Sequence, residues 1–421
     1  MLGRFFALLL VMAMPAGAFA QESDGERLQA RAADIVAVLK GEMAREDVFT
    51  RAFNEAVPET QLRALTEQLT GQFGPLLGVA EVEAAGAPGA AMVALRYERA
   101  IARGRMQLEA SAAYRVAGFR LTDFEPLSDR PVLEQLAELP GVAAILLAPL
   151  DGSEPLLSRD AGRQLAIGST FKLYVLSALV RAIDAGEHRW DEVVPLTVRS
   201  LPSGQMQDWP QGSPVTLHTL ATMMISISDN TATDQLMAVL GRNAVEAELR
   251  LLGHSDAEAT LPFLTTRELF VLKGDAALLE RYQKADQAAR REILTRLADR
   301  PADRAKVDSA FAEGPQALDV EWLASARDIA AVVSSLQTNQ TARAILAVNS
   351  GVGPSTQARW KYIGYKGGSE PGVLNFTWLV SNAADDWYVL TMSWNNSDAV
   401  IGEAQFLSIA QQVLRDHAQD D

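Results

Sequence analysis

The chain of 421 residues has no cysteine and only four histidines. The first absence excludes disulfides, a thiolate nucleophile and a lipid-modified cysteine. His188, His218, His254 and His417 are scattered without the spacing of metal ligands. No metal site and no Ser-His-Asp triad is therefore expected, and no cofactor is called for. Positive charge is also scarce: 38 Lys and Arg face 53 Asp and Glu, a formal net charge of −15. That balance argues against nucleic acid and against an anionic membrane surface as partner. Internal repeats and low-complexity tracts are missing too. At the N-terminus Arg4 precedes an apolar stretch and an Ala18-Phe-Ala20 ending. This is the pattern of a secretory signal over residues 1–20, too short for a comfortable membrane span. Export, no further spanning segment, a periplasmic location and a monomer are the expectations.

Against these absences stand three short motifs. The first is Ser169-Thr-Phe-Lys172, preceded by Gly168 and followed by the apolar run Leu173–Val180. A Gly and a small polar residue before such a run mark a helix start. A spacing of three puts Ser169 and Lys172 on one face, a turn apart. A serine hydroxyl needs a neighbouring base to become a nucleophile. Lys172 suits that role if burial and nearby cations favour its neutral form. A capping serine followed by a snorkelling lysine is the plainer alternative. The second motif, Ser228-Asp229-Asn230, separates two apolar helical stretches, and by itself also reads as a capping turn. The third is Lys366-Gly367-Gly368-Ser369, in a Gly-rich stretch between two β-rich runs, and by itself also reads as a plain hairpin turn.

In this order the motifs resemble the S-x-x-K, S-D-N and K-T-G set of the class A β-lactamase and penicillin-binding-protein superfamily of serine hydrolases. The resemblance implies a small-molecule substrate, a β-lactam or a D-Ala-D-Ala-like peptide, that acylates Ser169. It implies Lys172 as base and Ser228 as proton carrier to the leaving group. It implies Asn230, Lys366, Gly367, Gly368 and Ser369 as substrate-binding positions, with the N–H groups of Ser169 and Ser369 facing the oxyanion. Gly367 departs from the family, which has Thr or Ser there. Either a carboxylate-binding hydroxyl is missing, which a threonine would restore, or glycine is needed for backbone room. The Glu-x-x-x-Asn pattern that carries the family's deacylation base is also not found. Glu258 and Glu268 are the candidates in its region, and slow deacylation is expected. A penicilloyl- or peptidoglycan-binding protein is the alternative to a hydrolase.

The expected layout is a signal (1–20), an α+β domain (21–128) and an α/β lactamase-like domain (131–421) made of an antiparallel sheet plus a helical half. In the first domain, helical periodicity over 25–42 and 59–73 precedes four β-like runs, 79–83, 91–98, 105–113 and 114–124. This resembles the cystatin-like, steroid-isomerase-like domain of two-domain secreted serine hydrolases. The segment Leu201–Pro210 resembles the same group. Residues 274–321, charged and helically periodic, read as a solvated amphipathic helix pair on the surface, with a lid or a partner surface as the sharper alternative.

Overall fold

The computed structural model describes residues 23–298 and 300–418, so the expected signal lies outside the described residues. The chain divides into two units between Thr122 and Asp123, within one long strand.

The first unit opens on the helix Asp24–Leu39. Ser23 and Glu26 form a capping box that satisfies the free N–H groups of its first turn. Leu28, Ala32, Ile35 and Val36 recur at helical spacing and are buried. A second long helix, Glu59–Phe73, precedes a four-stranded sheet in the order β1 (Leu76–Ala84), β2 (Ala90–Tyr97), β3 (Ala100–Glu109) and β4 (Arg115–Pro126). Val93, Met106, Leu108 and Val116 join Ile35 in one apolar core. Helices followed by a sheet is the expected α+β pattern; β1, β2 and β4 fall close to the expected runs, whereas β3 starts at Ala100, ahead of the run 105–113, and stops at Glu109, where a 3-10 turn over Ala110–Ala112 begins.

In the second unit the strands are β5 (Val142–Pro149), β6 (Leu157–Arg159), β7 (Leu165–Ala166), β8 (Val193–Pro195), β9 (Pro214–Thr216), β10 (Leu323–Ala324), β11 (Tyr362–Glu370), β12 (Val373–Ser381) and β13 (Trp387–Asn395). The main sheet runs β11-β12-β13-β5-β6, with each neighbouring pair antiparallel. Both ends of the unit thus share one sheet, and the helices between 172 and 357 form the other half. Strand β12 is buried along its whole length because both its faces are covered. One face packs Phe376 and Trp378 with Phe406 of the helix Glu403–Asp416. The other face meets the helical half, whose centre is the helix Lys172–Asp184. That helix is buried on nearly all sides, as its continuous apolar sequence requires.

Residues 274–321 differ from the solvated pair expected. Among the described residues they hold three helices, Ala276–Lys284, Gln287–Arg296 and Arg304–Ala312. Leu279, Tyr282, Ile293 and Leu294 enter the main core, so the segment is structural rather than a surface decoration. The charges that suggested a solvated surface sit on the outer faces of these helices.

Candidate active site

The sequence places Ser169 in a single 3-10 turn, Gly168–Phe171, immediately before the buried helix that starts at Lys172. The turn is pinned from beneath. Thr170 Oγ1 donates to Asn375 Oδ1 on β12 at 2.7 Å, and Asn375 in turn donates to Ser393 Oγ at 2.8 Å. Phe171 stacks on Trp322 at 3.7 Å between ring centroids. A residue held by a buried polar network on one side and a stacked ring on the other keeps its neighbour's side chain fixed. That neighbour is Ser169, part-buried at the cavity floor.

Three chain segments then converge. Lys172 is fully buried. Its Nζ lies 2.6 Å from the Ser228 carbonyl oxygen, 2.6 Å from Asn230 Oδ1 and 3.0 Å from Ser228 Oγ. Lys366 Nζ, on edge strand β11, lies 3.0 Å from the same hydroxyl and donates to the Gly367 carbonyl. One serine hydroxyl thus bridges two buried lysines. Burial and the neighbouring Lys366 charge push the Lys172 amine well below the ordinary lysine range, while Asp234 and Asp229 oppose the shift. Burial pushes Lys366 down to about 7. The contacts of Lys172 also suit a neutral amine. Its two N–H groups meet two oxygens that can only accept, and its lone pair is left for a hydroxyl proton.

Ser228 holds this position in a left-handed conformation, φ 58°, unusual for a residue with a side chain and found mostly where a site requires it. The segment singled out from sequence only for its resemblance, Leu201–Pro210, holds it there. Ser203 Oγ donates to the Ser228 carbonyl at 2.8 Å, and Asn230 Nδ2 donates to the Leu201 carbonyl at 3.0 Å. The N–H groups of Gln205 and Met206 donate to Asp229 at 2.7 and 2.9 Å. Asp229 also caps the helix Asn230–Leu240. Its Pro-Ser-Gly start signals a turn, but nothing in it announces which loop it clasps.

The cavity of about 530 Å³ is lined by Ser169, Ser228, Asn230, Lys366, Gly367, Gly368 and Ser369, so every predicted site residue except Lys172 reaches it, and Lys172 lies directly behind. Pro202, Ile227, Leu269, Phe270 and Phe311 form its apolar wall. Phe311 comes from the segment 274–321.

At Gly368 a Cβ would stand 2.1 Å from the Ile167 carbonyl oxygen and 2.5 Å from the Ser169 nitrogen. The strand therefore approaches the Ser169 turn as closely as backbone allows. At Gly168 the same construction meets the Ser369 nitrogen at 3.0 Å. The backbone nitrogens of 169 and 369 thus lie where the two segments meet, and two N–H groups brought together are what an oxyanion needs. Gly368→Ala must move backbone rather than side chain. We expect a loss of stability of roughly 1–3 kcal/mol by urea titration, and acylation slowed about a hundredfold through displacement of the turn. A variant with unchanged midpoint and rate would show that the two backbones do not need this contact.

The candidate deacylation bases lie elsewhere. Glu258 is exposed and binds Arg250 and Gln287. Glu268 closes a capping box with Thr265 and pairs with Arg242 at 2.6 Å. Neither lines the cavity. From this stretch it is Thr266 that reaches it, with its hydroxyl 2.7 Å from Ser200 Oγ. Three carboxylates do line the cavity, Glu321, Glu370 and Glu403. The first two share the buried ammonium of Lys273, each at 2.5 Å. Burial and the Glu321 charge push the Glu370 carboxyl well above its ordinary range. Among the described residues no carboxylate hydrogen-bonds to Lys172. No group of His, Asp or Glu there could hold a metal ion, and no helix there is long and apolar enough to cross a membrane.

A sequence model of the β-lactamase enzyme family matches residues 132–344, half of the chain. The chain belongs to the β-lactamase enzyme family. The match ends before Lys366, so the third motif of this β-lactamase-family chain rests on the geometry above. Among solved structures it is similar to the β-lactamase of Sphaerobacter thermophilus at 22% identity, over 68% of this chain and 94% of that one, with a TM-score of 0.46. It is similar to PenP, a putative class A β-lactamase of Rhodopseudomonas palustris, at 16% identity, over 68% and 98%, with a TM-score of 0.48. It is also similar to PBP-A at 17% identity, over 68% and 94%, with a TM-score of 0.45. No curated protein matches the chain.

Proposed function

We propose that the protein is a periplasmic serine hydrolase, acylated at Ser169 by β-lactams or by D-Ala-D-Ala-like peptides and slow to release the acyl group. The observation that carries the reading is the bridge Lys172–Ser228–Lys366 behind Ser169. It supplies both halves of the proton traffic that acyl transfer needs. Ser169 Oγ attacks the carbonyl carbon while its proton passes to neutral Lys172. The oxyanion is received by the Ser169 and Ser369 N–H groups. As the C–N bond breaks, the departing nitrogen takes a proton through the Ser228 hydroxyl. Water then attacks the ester and regenerates Ser169. That last step needs its own base, and Glu258 and Glu268 are engaged elsewhere. Their placement also favours a second reading, a protein that traps penicillin as a lasting adduct.

Intact-protein mass after mixing with a fluorescent penicillin separates these. We expect one penicilloyl adduct per chain, formed in a burst and followed by a slow steady phase. Fast turnover with no burst would overturn slow deacylation, an adduct that never decays would favour the trap, and no adduct would overturn acylation.

A further inference from the structure

We infer that the phenol of Tyr365 provides the hydroxyl that position 367 lacks, and that it receives the carboxylate of the acylating substrate beside Lys366. The inference rests on acylation at Ser169 and adds the residue that selects the substrate's charge. Strand β11 lies at the sheet edge, so the cavity meets both of its faces. Alternation puts Tyr365 and Gly367 on one face and Lys366 on the other. A Cβ built at Gly367 would lie 2.1 Å from Tyr365 Oη and 2.8 Å from Cζ. The phenol oxygen thus occupies the volume that the first atom of a side chain at 367 would fill.

The ring cannot readily yield that volume. Its centroid lies 4.9 Å from that of Trp378, and the backbone at Gly351 comes so close that a Cβ there would fall 2.5 Å from a ring carbon. A threonine at 367 would therefore collide with a wedged ring instead of adding a useful hydroxyl. This argues against a gain in binding from such a change and for room beside the strand as the reason for the glycine.

The Tyr365 hydroxyl lines the cavity and has no hydrogen-bond partner among the described residues. Burial and the nearby Glu403 charge keep its proton bound, so it presents a donor. Beside it, the Lys366 ammonium is buried with only a hydroxyl and a carbonyl for company. A buried cation without an anion is costly. An anionic ligand would complete both groups, its oxygens accepting from Nζ and from Oη. The ligand class is a compact carboxylate on the acyl donor.

The test is binding without acylation. In a Ser169→Ala background, calorimetry would give dissociation constants for benzylpenicillin and its methyl ester, with Tyr365 and with Tyr365→Phe. A lost hydrogen bond to a charged group should weaken benzylpenicillin by roughly ten- to a hundredfold, and the uncharged ester by less than about twofold. Equal losses for both ligands, no loss for either, or no binding of benzylpenicillin to the Tyr365 protein would each overturn the inference. Failure of the acylation reading shows separately, as a wild-type protein that forms no adduct.

Discussion

Ser169→Ala is expected to abolish the penicilloyl adduct completely and to leave the fold unchanged. The loss is total because, among the hydroxyl residues that line the cavity, Ser169 is the one that stands a single turn before the buried Lys172, and Ser228 already bridges two lysines. The fold survives because the structural duties of this turn fall on its neighbours. Thr170 makes the bond to Asn375, Phe171 makes the stack on Trp322, and Gly168 gives the turn its left-handed φ of 48°. The Ser169 side chain is only part-buried, so removing one oxygen leaves no unpaired partner in the core. Intact mass and a thermal melt on the same sample decide the matter. An adduct forming on Ser169→Ala at the wild-type rate would discard the nucleophile, and a collapsed melting temperature would show that the hydroxyl is structural.

The motifs were legible because each is a local pattern whose chemistry depends on near neighbours. Ser169 and Lys172 are one turn apart, and Asp229 caps the helix that follows it. The β-rich runs around Lys366 became β11 and β12 because apolar residues on both faces left no other way to bury them. What escaped was long-range. The clasp of Ser203 on Ser228 joins a turn to a loop 25 residues away, and the Lys273–Glu321–Glu370 cluster joins three segments. Periodicity carries no record of such pairings. Gly367 was legible as a departure but not as a consequence, since its cause, Tyr365, points along the strand from two residues away. Residues 274–321 misled for a different reason. Their charge content suggested solvation, yet Leu279 and Tyr282 of the first helix and Ile293 and Leu294 of the second were enough to tie them into the core.

Lys172→Ala is expected to slow acylation by roughly two to four orders of magnitude, the range for loss of a general base. Part of any structural cost can be recognised in advance. Alanine leaves Asn230 Oδ1 without the Lys172 donor and the Ser228 carbonyl with Ser203 Oγ in place of two donors, so the melting temperature should fall, and rates must be compared well below it. The pH profile separates the catalytic role from that cost. The wild-type kcat/KM for acylation should rise with pH as Lys172 loses its proton, because only the neutral amine can accept one from Ser169. That limb lies below the ordinary lysine range, since burial and the Lys366 charge favour the neutral form. For a carboxylate-bearing substrate the profile should fall again as Lys366, at about 7, gives up the charge that attracts the anion. The two lysines share one hydroxyl, so the limbs belong to the pair and not to either residue alone. A neutral ester should lack the falling limb. In Lys172→Ala the rising limb should vanish, leaving a low rate governed by whatever base remains. A variant that keeps the wild-type rising limb, or acylates within a factor of two of wild type, would show that another group activates Ser169.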